Sequence, residues 1–341
     1  MKKSKKVEKL PITSENWTSL KLQMSDAIMQ QIFVNDKLKK EFPKLDTIYH
    51  YTNLNNFISI VENQTLYSTN ISFLNDKREY KHGVDLLLSR IDILKNGGFS
   101  PDILDMLVTH IDLIYKSERY VTCFSKNGDL LSQWRAYANN GKGIAIGFES
   151  MMIEKKMNLY LQRKHVIYDV KEQTEFLDEL IKIIINFFEE YIEIFDWAEY
   201  GYEWLVTNAI IEYLDIILSG YKDPSFFEEQ EYRLEYVIDG RVNKKKHVEI
   251  NYRATETQII PYIKFISEYR QTEIDKAKGR YDDIDINDDE IFSFKRKLPI
   301  KEIIIGPSLD YEMNKLGIEE LLKSNGYDDV IIKKSTIPYR L

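Results

Sequence analysis

Residues able to do chemistry fall in three places along this chain. The first is Tyr49-His50-Tyr51-Thr52, which closes a β-branched, aromatic run; Asn53 then caps an amphipathic helix predicted over 54–62. A strand-end histidine with hydroxyls beside it can hold a ribose hydroxyl or a small polar ligand. At a helix N-terminus the dipole also favours anionic groups. The plainer alternative is a histidine that only bonds a loop carbonyl.

The second place is Glu229-Gln230-Glu231-Tyr232-Arg233. As a strand edge, it points Glu229, Glu231 and Arg233 to one face, with Tyr232 and Leu234 on the other. Two carboxylates on one face can stabilise a developing positive charge, bind a sugar hydroxyl or hold a divalent metal. A surface-charged edge with an Arg–Glu pair worth under about 1 kcal/mol is the bland reading. The third place joins Cys123-Phe124-Ser125, Gln133-Trp134-Arg135-Ala136-Tyr137-Ala138 and Gly143-Ile144-Ala145-Ile146-Gly147-Phe148. Trp134 and Tyr137 stand three apart, on one helical face, and can wall a flat ring or simply be core. Cys123, mid-strand with no histidine near it in sequence, reads as packing.

Other common chemistries have no signature. The chain lacks GxxxxGK[ST], GxGxxG, GxSxG and HExxH, and its five histidines have no metal-ligand spacing. Asp76 and Glu79 read as residues that start a helix. The acidic run at 281–290 misses the EF-hand glycine and reads as a solvated loop.

The elements that must position these residues alternate in type. A basic tail and helix occupy residues 1–45, and 46–340 form one α+β domain with a mixed, interrupted sheet flanked by helices. A long apolar helical block at about 171–218, split near Gly201, reads as an insertion. Strands are expected at 233–238 and 246–252, paired as antiparallel neighbours, followed by a helix over 256–278. A βαβ-like tail begins at Ile303 and ends at 330–332.

Composition narrows the class. With 341 residues, 43% hydrophobic and 30% charged, the chain is globular in type, and no apolar run approaches the roughly 20 residues that span a bilayer. A single cysteine excludes an internal disulfide and Cys-based zinc sites, which fits the cytoplasm. A net charge of −8 argues against broad duplex binding while leaving room for a local basic groove.

Together with Leu74-Asn75-Asp76-Lys77-Arg78-Glu79 and Ile303-Ile304-Ile305-Gly306-Pro307, the motifs above resemble a bacterial domain-of-unknown-function family, number 2971. The strand-end His-Tyr-Thr and the later Glu-x-Glu more distantly resemble ADP-ribosyltransferase folds, including DNA-modifying toxins. That resemblance implies NAD as substrate. His50 would bind ribose hydroxyls, Glu231 would be the catalytic acid residue, and Glu229 would orient the acceptor. Tyr51 and Tyr137 would stack on nicotinamide, with Thr52, Trp134 and Arg233 completing the nucleotide site. Cleaving the nicotinamide bond passes through an oxocarbenium-like centre that a fixed carboxylate stabilises. The expected function is therefore an NAD-dependent transferase modifying a nucleic acid or protein. A toxin or phage-defence setting, with a regulatory or antitoxin partner and no membrane, goes with it. The alternatives are a metal-dependent nuclease using Asp76, Glu79, Glu229 and Glu231, and a nucleotide-sensing module that binds without turnover.

Overall fold

A computed structural model of the chain describes residues 10–11, 13–34, 45–74, 79–98, 101–116, 118–150, 161–191, 194–196, 210–238, 249–255, 257–266 and 297–339. In chain order come β1 (Leu10–Pro11), α1 (Ser14–Val34), β2 (Thr47–Asn53), α2 (Leu54–Asn63) and β3 (Thr65–Asn70). Then follow α3 (Glu79–Asn96), α4 (Pro101–Thr109), β4 (Glu118–Ser125), α5 (Leu131–Ala136) and β5 (Gly143–Glu149). The middle holds β6 (Leu161–His165), α6 (Val170–Tyr191), β7 (Phe195–Asp196) and α7 (Ile211–Leu218). The chain ends with β8 (Glu231–Ile238), β9 (Ile250–Ala254), β10 (Ile259–Ile266), β11 (Ile300–Ile305), α8 (Tyr311–Ser324) and β12 (Ile331–Lys334). Asp76, Gly201 and the acidic run at 281–290 lie outside the described residues. No helix among the described residues is long and apolar enough to cross a membrane.

The chain divides into two compact units. The helical unit takes residues from Met1–Pro43, Asp76–Ser117 and Ile167–Phe226, so the first helix and the block at 171–218 share it. Its core follows helical spacing: Trp17, Leu20 and Met24 on α1, Leu87, Ile91 and Leu94 on α3, and Leu177, Ile181, Ile184 and Phe188 on α6. Arg90 clamps Asp178 through two hydrogen bonds, Nε to Oδ1 at 2.7 Å and Nη2 to Oδ2 at 2.5 Å, tying α3 to α6.

The sheet unit holds the rest and builds a mixed, open sheet of ten strands flanked by helices, the α+β class expected. Its order runs β12-β11-β5-β2-β4-β3-β10-β9, and β8 pairs with β4 on one side and β6 on the other. Among the described strands of this sheet only β11 and β12 run parallel, joined by the crossover helix α8, as the βαβ-like tail predicts. One edge of β4 pairs with β8 throughout, while its other edge is shared: β2 meets it at Ser125 and β3 at Tyr120 and Val121. The sheet therefore forks at β4, and His50 stands at the fork.

Alternation gives each strand two faces. Ile48, Phe124, Ile144, Ile146, Phe148, Tyr232 and Leu234 fill a core with Phe57 of α2 and Ile318 of α8; this is the Phe124 face. Each such fully buried side chain contributes roughly 1.5–3 kcal/mol. On the Ser125 face, Tyr51, Ala145 and Ile304 pack with Trp134 of α5.

Three expectations are corrected. Residues 259–266 form strand β10 rather than a helix; Ile260, Tyr262 and Ile263 repeat with sheet geometry against β3 and β9. The strand at 250–254 pairs with β10, not with β8, because β4 and β6 already occupy both edges of β8. For the same reason β8 is no surface edge: Glu231 is 4% exposed and Arg233 is fully buried.

Candidate functional site

Sheet pairing brings the three motif strands side by side, β2 next to β4 next to β8. Tyr49 pairs with Ser125, and Ser125 with Glu231, in one row on the Ser125 face. His50 belongs to the other face: its ring stands edge-on to Phe124 at 5.9 Å, and Phe124 pairs with Tyr232. So the sheet brings residues 50 and 231 within about two strand spacings, roughly 10 Å, but sends their side chains to opposite faces.

His50 Nδ1 donates to the Cys123 carbonyl at 3.0 Å, on the edge of β4 opposite β8, between its pairings with β2 and β3. That bond fixes the Nδ1–H tautomer and turns Nε2 into an acceptor. Burial first, with Arg253 adding to it, holds the imidazole pKa below its ordinary value, against the pull of the Cys123 carbonyl. His50 is thus a neutral ring at neutral pH.

The Glu-x-Glu pair does not share a strand face. Gln230 has φ 46°, a left-handed kink that ends the 3₁₀ turn Pro224–Glu229 and starts β8, so the alternation assumed from 229 to 231 is broken. Glu231 accepts from Arg233 at both oxygens, from Nε and Nη2 at 2.8 Å each. The adjacent Glu235 is buried with Arg119 and Lys164. Burial alone would raise the Glu235 carboxyl, but Lys164 and Arg119 outweigh it and hold it down to about 2. The Ser125 face of β8 is therefore a row of buried ion pairs.

Glu229 sits differently. It is partly exposed, its carbonyl accepts from Ser125 Oγ at 3.0 Å, and its Oε1 accepts from Tyr137 at 2.9 Å. Tyr137 lines an open pocket of about 590 Å³ with Asn53, Leu54, Asn55, Asn139 and Lys142. One wall is the first turn of α2, where Asn53 caps the helix by accepting from Asn56 N at 2.8 Å. The opposite wall is the turn after α5, where Asn139, Asn140 and Gly141 all take positive φ. Behind it Gly143 and Gly306 let backbones touch: a Cβ on Gly306 would lie 2.3 Å from the Gly141 carbonyl oxygen.

Other predicted residues serve the framework. Tyr51 donates to the Asn127 carbonyl at 2.9 Å and accepts from Leu130 N at 3.0 Å, and burial raises its hydroxyl pKa. Trp134 is fully buried, edge-on to Tyr51 at 4.9 Å, and donates to Asp129 at 2.7 Å. Thr52 is buried in β2. Of the expected ring-stacking side chains, Tyr137 alone reaches the pocket. Sequence reasoning missed Asn139 and Lys142 as pocket residues; Asn-Asn-Gly-Lys-Gly is turn-forming in composition, which does not say what the turn faces. Among the described residues no group of three or more His, Cys, Asp or Glu is placed to hold a metal.

These features define an α+β protein with a forked sheet and an open polar pocket beside the fork. Residues 133–234 match the model of a family described as protein of unknown function, DUF2971, which bears out the family resemblance carried by the motifs. The match takes in Gln133–Tyr137, Gly143–Phe148 and Glu229–Arg233. No curated protein and no solved structure matches the chain.

Proposed function

We propose that the sheet unit binds a nucleotide at the pocket before α2 and acts on NAD as an ADP-ribosyltransferase-like enzyme, with Glu229 as the working carboxylate. The observation that carries this reading is convergence at one pocket. The N-terminal end of α2, where Asn53, Leu54 and Asn55 line the pocket, and the Lys142 ammonium suit a pyrophosphate. Tyr137 offers a ring, and its hydroxyl holds Glu229 one hydrogen bond away. The sheet order β8-β4-β2 sets the Glu-x-Glu segment one strand removed from the His-Tyr-Thr strand, and Glu229, on the turn before β8, reaches the pocket through Tyr137. Glu231, locked to Arg233, is a poorer candidate for stabilising an oxocarbenium-like centre, because a cation already neutralises it. A toxin or antiviral-defence role in the cytoplasm, with a regulatory partner, belongs to the same proposal.

Purified protein incubated with NAD tests it. Glu229→Gln should lower nicotinamide release on the order of 10²-fold with NAD binding kept. Lys142→Ala should instead raise the half-saturating concentration. No NAD binding by calorimetry and no turnover would remove the reading. Binding without turnover would favour the nucleotide-sensing alternative.

A further inference from the structure

On the arm of the fork formed by β3, β10 and β9, alternation gathers an unusual set of side chains on the Ser125 face. Thr69 pairs with Val121 of β4 and with Tyr262 of β10, and Lys264 pairs with Tyr67. Tyr67 and Tyr262 lie diagonal to each other, ring centroids 4.3 Å apart and tilted by 30°. Tyr262 is buried under this contact while Tyr67 keeps 40% of its surface exposed, so the stack has an open outer ring. Arg253, exposed on β9, reaches across the strands to donate to Thr69 Oγ1 at 3.1 Å. Lys264 is also exposed.

Charge separates this face from an ordinary aromatic pair. The positions that alternation puts here are Thr65, Tyr67 and Thr69 on β3, Ile260, Tyr262 and Lys264 on β10, and Asn251 and Arg253 on β9 with Glu249 just before it. Arg253 and Lys264 are cationic, and the exposed Glu249, next in the same alternation, comes opposite Lys264, so Arg253 is the cation without a carboxylate across from it. An exposed tyrosine stack with Arg253 beside it matches what single-stranded nucleic acid presents: flat bases to extend the stack and a phosphate to meet the guanidinium. An acidic peptide would use the cations but leave the rings idle.

We infer that the β3-β10-β9 face, through Tyr67, Arg253 and Lys264, binds single-stranded nucleic acid. As the acceptor surface of the transferase it rests on the reading above; the binding itself does not, and is measured without NAD. The probe is a fluorescein-labelled 12-mer of deoxythymidine, followed by anisotropy, with oligouridine and poly-glutamate as competitors. Tyr67→Ala should weaken binding on the order of tenfold, whereas Tyr67→Phe, which keeps the ring, should not. Arg253→Ala should lower the slope of log affinity against log salt by about 0.7, one phosphate contact. Each variant's melting temperature is read alongside, so that lost binding is told from lost folding; Tyr67→Phe, which keeps the ring, should leave it unchanged. Absence of binding at low salt overturns the inference, as does binding indifferent to both Tyr67→Ala and Arg253→Ala. Displacement by poly-glutamate as readily as by oligouridine overturns it too, by showing a charge-only surface. Oligonucleotide binding that survives while nicotinamide release is nil leaves this inference standing and the NAD reading fallen.

Discussion

Glu231→Gln separates a catalytic carboxylate from a structural one. On a solvent-lined strand edge the swap would cost activity and leave stability almost untouched. Here Glu231 is 4% exposed and both of its oxygens accept from the fully buried Arg233. Removing one partner of a buried pair costs about 3–5 kcal/mol, because the remaining charge is left in a poorly solvating site. Two features reduce that figure. Gln keeps one carbonyl acceptor for the guanidinium, and Arg233 is close enough to help hold the Glu235 carboxyl low, so Glu235 takes up part of the orphaned charge. The expected loss is about 2–3 kcal/mol. Glu231→Ala, with no acceptor and a cavity besides, should lie at or above the upper end. Urea unfolding followed by tryptophan fluorescence suits the measurement, because Trp134 is buried in the same unit and on the same face of the sheet. A Glu231→Gln protein that unfolds at the wild-type urea concentration would refute the clamp as a stabilising device. If it also lost NAD turnover, catalysis would return to Glu231.

Two further perturbations probe the frame of the pocket. Asp129 accepts from Trp134 Nε1, Ser335 Oγ, Thr336 N and Thr336 Oγ1 at 2.5–2.7 Å, so Asp129→Ala strands the buried indole N–H and should cost about 3 kcal/mol in chemical denaturation. Burial pushes its carboxyl up, but those donors outweigh it and leave the pKa below 3.8; its contribution is therefore full above about pH 4 and lost as pH falls through the folded value, an acid limb that Asp129→Asn should flatten. Gly306→Ala should lower the melting temperature by the equivalent of about 2–3 kcal/mol, since the new Cβ runs into the backbone carbonyls of Gly141 and Gly143, which cannot swing aside as a side chain would.

The sequence made some of this legible and not the rest, for physical reasons that differ by element. Strands β2 and β5 and helices α2 and α3 announce themselves by alternation or helical spacing, with a local cap at Asn53 that the structure shows in place. The error at 259–266 arose because Ile-Ile-Pro-Tyr-Ile-Lys-Phe-Ile carries apolar residues at both periods. Only pairing with β3 and β9 decides between them, and that pairing is non-local. Likewise nothing in Glu229-Gln230-Glu231 reveals that Gln230 turns left-handed, yet that one dihedral sends two neighbouring glutamates to different fates.

Burial was the larger blind spot at the site. Residues picked for their chemistry, Tyr51, Trp134, Glu231 and Arg233, are those the sheet unit uses to bind itself together. Each carries a polar group on a bulky or charged frame, and inside a protein such a group must be fully partnered. The same types at an open surface would be free to meet a ligand, and sequence cannot tell the two apart without the register of β8 against β4 and β6. What stays available once the internal partners are assigned is smaller and more specific. His50 presents a neutral acceptor at the fork, and Tyr137 with Glu229 borders a pocket at the α2 N-terminus. Asn139 and Lys142, held by a turn that needs three residues at positive φ, face that same pocket. A ligand in the pocket would meet Tyr137, Glu229, Asn139 and Lys142, whereas Glu231 and Arg233 are buried in their own clamp. The pocket variants Glu229→Gln and Lys142→Ala should therefore alter ligand handling at unchanged stability, while Glu231→Gln alters stability first.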